Sequence, residues 1–283
     1  MDWLTRMNDA LTYIESNLDG EISVQHAAQL ATCSTYHFTR MFSYVCGVPL
    51  SEYLRRRRLT QAALDLQRGD KVLAVALRYG YESPTAFNRA FRAVHGIPPG
   101  EARKSGTKLK AYPRLRFQLT VKGATEMDYR IVEKEAFRVV GIRTPIGATV
   151  EENAKIIMPF WQNARETGQL EPIVDLINGE PGGLLGVCVC EGGCCENGHY
   201  HICAVTDKPT PSGMHEIFIP KHTWAVFSGR GKADTIADLF NRIYTEWQPT
   251  SGYDWAATMD MEVYLDANPN DMRYEVWMPV KKA

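Results

Sequence analysis

No stretch of 18 or more consecutive apolar residues occurs in this 283-residue chain, which excludes a membrane-spanning helix. The N-terminus, Met1-Asp2-Trp3-Leu4-Thr5-Arg6, has no basic segment followed by an apolar one, so no secretory signal is read there. Cysteine numbers only seven, an odd count that argues against a complete disulfide framework. A reducing cytoplasm is therefore the expected compartment. No cofactor is expected, no nucleophile–base pair stands out, and no enzyme activity is expected. Net charge is nearly absent too: 32 Lys and Arg stand against 33 Asp and Glu, a net of −1. Taken alone, that balance speaks against a nucleic-acid partner.

Counting charge by segment reverses the inference. Residues 1–111 hold 15 basic against 10 acidic residues, a net of +5, and the remainder carries −6. A basic first part and an acidic second part imply two modules with different partners. The apolar share of 45% is ordinary for a globular chain, and the length suits two domains.

The first part reads as short helices. Apolar positions 7, 10, 11, 14 and 18 have helical spacing, with Gly20 as a stop. Ser23 caps a short helix from Val24 to Ala31. Ser34 caps another from Thr35 to Val45, with Phe38, Met41, Phe42 and Val45 on one face and Gly47 at its end. A long helix runs from Leu50 or Ser51 to about Gln67. Val72 to Arg78 is short, and Ser83 caps a helix with Phe87, Phe91 and Val94 inward, ended by Gly96. The pattern of short helix, turn and capped helix thus appears twice, at 23–45 and 72–95. Ser34 and Ser83 are 49 residues apart, as are Arg40 and Arg89. Two helix-turn-helix units joined by one long helix account for this. The second helix of such a unit can enter a major groove. Its outward residues are then the candidate base readers: Tyr36, Thr39 and Arg40 in the first unit, Thr85, Asn88 and Arg89 in the second. Arg suits guanine and Asn suits adenine. The run Arg55 to Arg58 covers every face of a helix, so it is expected to divide between phosphate, flanking helices and solvent.

These residues carry a resemblance. The segment from roughly 8 to 104 resembles the AraC/XylS family of bacterial transcription regulators. The resemblance rests on Ser23-Val24 through Leu30-Ala31, Tyr36-His37-Phe38-Thr39-Arg40-Met41-Phe42, Gly47, Tyr53 through Leu59, Ala62-Ala63, Ala76 with Gly80-Tyr81, Phe87-Asn88-Arg89-Ala90-Phe91 and Gly96-Ile97-Pro98-Pro99. It implies two recognition helices in successive major grooves of double-stranded DNA, about 34 Å apart. It also implies RNA polymerase as a candidate partner.

Residues 107–126 read as a linker and first strand, with Leu115, Phe117, Leu119 and Val121 alternating against polar neighbours. Strands are expected at 129–132, 137–142, 184–190, 200–205, 215–219, 224–229, 261–265 and 274–279. Helices are expected at about 149–167 and 235–247. The order strand-helix-strand-strand appears twice, as in an α+β domain of two related halves. From about 127 to 283 the chain resembles the GyrI-like effector-binding module of multidrug-sensing regulators. That resemblance rests on Val139-Val140-Gly141-Ile142, Ile219-Pro220 with Thr223 to Phe227, Tyr244-Thr245-Glu246-Trp247, Met261-Glu262-Val263-Tyr264 and Trp277-Met278-Pro279-Val280. It implies a small lipophilic, often cationic, ligand held by a carboxylate among aromatic rings. Glu262 matches the carboxylate, with Trp161, Trp224, Phe227 and Tyr264 as candidate walls. A buried carboxylate is costly until a cation neutralises it, and aromatic faces add cation–π attraction.

The fold expected is therefore multidomain. An all-α double helix-turn-helix domain at 1–106 is followed by the 107–126 link and an α+β GyrI-like domain at 127–283. Cys188, Cys190, Cys194, Cys195, His199, His201 and Cys203 depart from the module's pattern and form a candidate Zn or Cu(I) set, or a thiol sensor. The dull alternative is that the strand cysteines are small core hydrophobes. A second alternative is hydrolysis of a bound compound with Glu262 as acid or base.

Overall fold

A computed structural model describes residues 3–118, 126–147, 150–190, 198–266 and 271–282. Among the described residues, no helix is long and apolar enough to cross a membrane. The chain divides into two compact units: Met1–Ala31 with Val48–Leu119, and Thr32–Gly47 with Thr120–Ala283.

In the first unit, α1 (Trp3–Ser16) buries Met7, Ala10, Leu11 and Ile14, the positions its spacing predicts. It packs on α2 (Val24–Leu30), which starts where the Ser23 hydroxyl accepts from His26 N. The next helix, α3 (Thr35–Cys46), belongs to the second unit. The expected first module, 1–106, includes residues 32–47, which group here with the second unit. The first unit continues with α4 (Leu50–Gln67), α5 (Val72–Arg78), α6 (Pro84–His95) and α7 (Pro99–Ala102). Their core is Leu59, Ala62, Ala63, Leu66, Val75, Ala76, Phe87, Phe91 and Val94. Burying such side chains contributes about 1.5–3 kcal/mol each before entropy is counted.

The Arg55–Arg58 run is engaged within the protein. Arg55 and Arg56 both pair with Glu52 one turn back. Arg57 forms a fork with Glu15 of α1, and Arg58 donates to the carbonyls of Leu18 and Gly20 just past it. Two arginines therefore tie α4 to the end of α1. The strand expected from Leu115 is not formed at 115–118, and 119–122 lie outside the described residues. Instead Phe117 packs edge-on against Trp3, and its backbone N–H and carbonyl are both bonded by the Asn8 amide. An apolar alternation with no neighbouring strand has docked on a helix.

The second unit holds one antiparallel sheet. Its strands are β1 (Tyr129–Lys134), β2 (Phe137–Pro145), β3 (Leu184–Val189), β4 (His199–Val205), β5 (His215–Ile219), β6 (His222–Gly231), β7 (Tyr253–Trp255), β8 (Met259–Tyr264) and β9 (Met272–Lys282). They lie in the order β1-β6-β9-β8-β3-β4-β2-β5, with β7 beside β9. Read from the middle outward, β8, β9, β6 and β1 mirror β3, β4, β2 and β5. The two halves, β2-α8-β3-β4 and β6-α10-β8-β9, are related as the sequence predicts, and their leading strands β1 and β5 are exchanged. Besides α3, its helices are α8 (Val150–Glu166), the short α9 (Leu170–Val174) and α10 (Ala233–Arg242). A π-helical turn, Ile243–Trp247, extends α10.

Strand alternation gives the sheet two faces. One carries Val140, Cys188, Tyr200, Ile202 and Ala204, packed with Ala164 and Trp161 of α8 and with Tyr36 of α3. The other carries Val139, Val187, Cys203, Trp224, Val226, Met261, Val263 and Trp277. Which face a side chain takes decides whether it reaches the site described next.

Candidate functional site

On α6, the expected second reader helix, the Ser83 hydroxyl accepts from Ala86 N, and Gly96 closes the helix at φ 80°. Phe87, Phe91 and Val94 face the core of the first unit. Thr85, Asn88 and Arg89 are exposed together on the opposite side.

Helix α3, the expected first reader, is built by the same local code. Ser34 accepts from His37 N, and Gly47 closes it at φ 66°. Its outward face is occupied, contrary to the sequence expectation. Tyr36 is 1% exposed, and its hydroxyl donates to Asp260 on β8. Arg40 Nη1 donates to the same Asp260 oxygen at 2.6 Å, with 14% of the Arg side chain and 3% of the Asp exposed. Thr39 is half-buried, and its hydroxyl donates back to the Thr35 and Tyr36 carbonyls of its own helix. Tyr44 stacks on Phe240 and Tyr244 with ring centroids 5.9 and 5.4 Å apart. His37 stacks on Trp255, and its Nε2 donates to the Ala257 carbonyl at 2.5 Å. Burial disfavours the charged imidazole and pushes the His37 pKa down to about 4. An ion pair this deep gains little net stability, but removing one partner costs about 3–5 kcal/mol because the other charge is left bare.

Beside this seat stands the carboxylate singled out from the sequence. Glu262 lies two residues after Asp260 on β8, so both point to the same face. Its Oε2 accepts from the hydroxyls of Tyr200 at 2.8 Å and Tyr264 at 3.0 Å. Trp161 of α8 donates from Nε1 to the Tyr200 hydroxyl at 2.9 Å and meets the Tyr264 ring edge-on at 4.9 Å. Gly186 makes room for this: a Cβ there would sit 1.9 Å from the Tyr200 oxygen and 2.7 Å from Glu262 Oε2. Burial raises the Glu262 pKa, the Asp260 charge raises it further, and the two tyrosine hydroxyls and the Arg40 charge pull it partly back. The result is a carboxylate with hydrogen-bond donors that a further cation beside it would stabilise.

Of the predicted ligand residues, Glu262, Trp161 and Tyr264 come together. Phe227 shares their face: it registers with Val276 of β9, which registers with Glu262. It is fully buried, however, against Tyr129 and Trp247. Trp224 does not join them, because it lies on the opposite face with Met261 and Val263. Trp224 and Phe227 are three positions apart, so strand alternation sends them to opposite sides. Tyr200, Asp260 and Gly186 were missed. The signal for Asp260 was present as the period-2 pair Asp260-Met261-Glu262.

The candidate metal set is divided by the sheet. Cys188 and Cys190 pack on the Tyr200 face. Cys203 registers with Leu185 and packs on the far face, and His201 and His199 register with Val187 and Val189. Cys194 and Cys195 lie outside the described residues. Among the described residues no three His, Cys, Asp or Glu side chains come together to hold a metal. Burial pushes the Cys203 thiol well above its usual range, which suits a core hydrophobe.

Comparisons with known proteins bear on both units. A family model for a helix-turn-helix domain matches residues 27–105, and one for an integron-associated effector binding protein matches residues 130–280. The HTH-type transcriptional activator AarP of Providencia stuartii is 37% identical over 102 residues, which are 36% of this chain and 76% of AarP. Transcriptional regulator Rob of Salmonella typhimurium is 27% identical over 168 residues, 58% of this chain and 57% of Rob. Among solved structures, SAV2435 bound to tetraphenylphosphonium is similar at a TM-score of 0.48 and 22% identity, over 55% of this chain and 94% of that one.

Proposed function

The chain belongs to the AraC-type helix-turn-helix transcriptional regulators with a GyrI-like, integron-associated effector-binding domain, and from that premise we propose that its second unit binds a small lipophilic cation at Glu262. One observation carries the reading: a half-buried carboxylate with a raised pKa, held by Tyr200 and Tyr264 beside Trp161. A cationic compound supplies the charge that Glu262 lacks, and the indole and phenol faces add cation–π attraction. Discrimination against neutral compounds then comes from the cost of leaving the carboxylate unpaired.

On the DNA side, Thr85, Asn88 and Arg89 read base edges from α6. Tyr36, Thr39 and Arg40 of α3 are the second reading set. RNA polymerase is the protein partner through which the bound regulator acts. Regulation by a bound compound is favoured over its hydrolysis because both family matches are to binding modules.

A thermal-shift screen of the full chain against lipophilic cations and their neutral isosteres tests the pocket. Cations should raise Tm, and Glu262→Gln should weaken cations more than neutral compounds. Equal retention of both classes by the variant would reject Glu262 as the anchor.

A further inference from the structure

Arg40 sits in the effector-binding unit as a bound organic cation would. Its guanidinium carbon lies 4.7 Å from the Phe240 ring centroid, 5.3 Å from Tyr36 and 5.9 Å from Tyr44. Nη1 and the Tyr36 hydroxyl converge on one oxygen of Asp260. A planar cation paired with a carboxylate and walled by aromatic faces is a built recognition site. Asp260 shares its strand face with Glu262, so the site adjoins the proposed effector pocket.

The fit is incomplete. Arg40 Nε, His37 Nδ1 and the Tyr244 hydroxyl are buried with no hydrogen-bond partner among the described residues. Buried polar groups left unpaired cost free energy, so α3 holds this seat against a standing penalty. The face it buries here, Tyr36 and Arg40, is the face whose counterpart on α6 is exposed.

We propose that α3 is an internal ligand of the effector-binding unit. Arg40 fills an organic-cation site centred on Asp260, which withholds the first reader helix from DNA. A compound carrying a guanidinium or alkylammonium group takes the same site and releases the helix. A ligand shifts such an equilibrium only by binding one state better than the other. Here the requirement is met sterically, because the external cation and Arg40 exclude each other. The inference rests on the proposed cation-binding reading for the identity of the displacing compound alone.

The test uses ligand-free full-length protein. Phenylglyoxal labels arginine side chains, and mass spectrometry reads each site. Arg40 should react about tenfold more slowly than exposed Arg89, as expected for a group reached only through local opening. Asp260→Asn and Phe240→Leu lie outside α3, so neither removes a DNA contact of that helix. Each should bring Arg40 close to the Arg89 rate and tighten binding to a duplex selected by the unsubstituted chain by about fivefold. Equal labelling of Arg40 and Arg89 in the unsubstituted protein overturns the proposal, whatever the variants do. Variants that free Arg40 but bind the duplex no more tightly also overturn it. No compound enters this test, so its failure is separable from failure of the Glu262 reading.

Discussion

Helices α3 and α6 start from the same instructions and end in different surroundings. Each has 12 residues, a serine N-cap and a left-handed glycine at its end, with arginine at the same offset. Caps and apolar spacing decide that a helix forms; they do not decide what its other face meets. The difference lies in the stripe at i, i+4 and i+8. In α3 it is Tyr36, Arg40 and Tyr44; in α6 it is Thr85, Arg89 and Ala93. The aromatic stripe gives α3 a second apolar face beside Phe38, Met41 and Phe42. A helix apolar on both sides is a helix to be buried. Arg89, without aromatic neighbours along its stripe, stays in solvent.

Four tests stress that comparison, beginning with the largest effect. Tyr36→Ala should destabilise the second unit by about 3–5 kcal/mol, while Thr85→Ala at the matching place should stay within about 0.5 kcal/mol. Denaturant unfolding of both variants checks this, and equal values would erase the contrast. Acid comes next. His37 is neutral when folded, with its pKa near 4, facing Asp260 and Arg40 across the seat. Its contribution is complete above the unfolded value of about 6.5 and is lost as pH falls from there towards 4, reaching roughly 3 kcal/mol. His37→Gln should flatten that part of the stability–pH curve; Ala86, its counterpart on α6, has nothing to titrate. Arg89→Ala should cost roughly 1–3 kcal/mol of binding to a selected duplex and relax its sequence preference. Equal losses on selected and random duplexes in a binding titration would refute base reading. Last, Ser34→Ala and Ser83→Ala should each cost about 1 kcal/mol in thermal unfolding, because the two caps make the same bond.

Much of the molecule was legible because it is locally determined. Ser23, Ser34 and Ser83 mark helix starts, Gly47 and Gly96 mark ends, and the strand-helix-strand-strand order reports the two related halves. What escaped depends on pairing between distant segments. The alternation from Leu115 looks like a strand until Phe117 is seen docked on Trp3. The cysteine set looks like a ligand cluster until the β3–β4 register divides Cys203 from Cys188. Glu262 was found through the resemblance of its motif, and its period-2 spacing also points to Asp260, whereas Tyr200 needed the sheet. Trp224 is a different case: its odd spacing from Phe227 already sends the two to opposite faces.

Hydroxyl-radical footprinting of the ligand-free full chain on a selected duplex tests the contrast between α3 and α6 most directly. With Arg40 held by Asp260 and only α6 free, strong protection should cover one major groove, and Asp260→Asn should extend it to a second groove about 34 Å along the same side. Equal protection of both grooves by the unsubstituted, ligand-free protein would contradict the account.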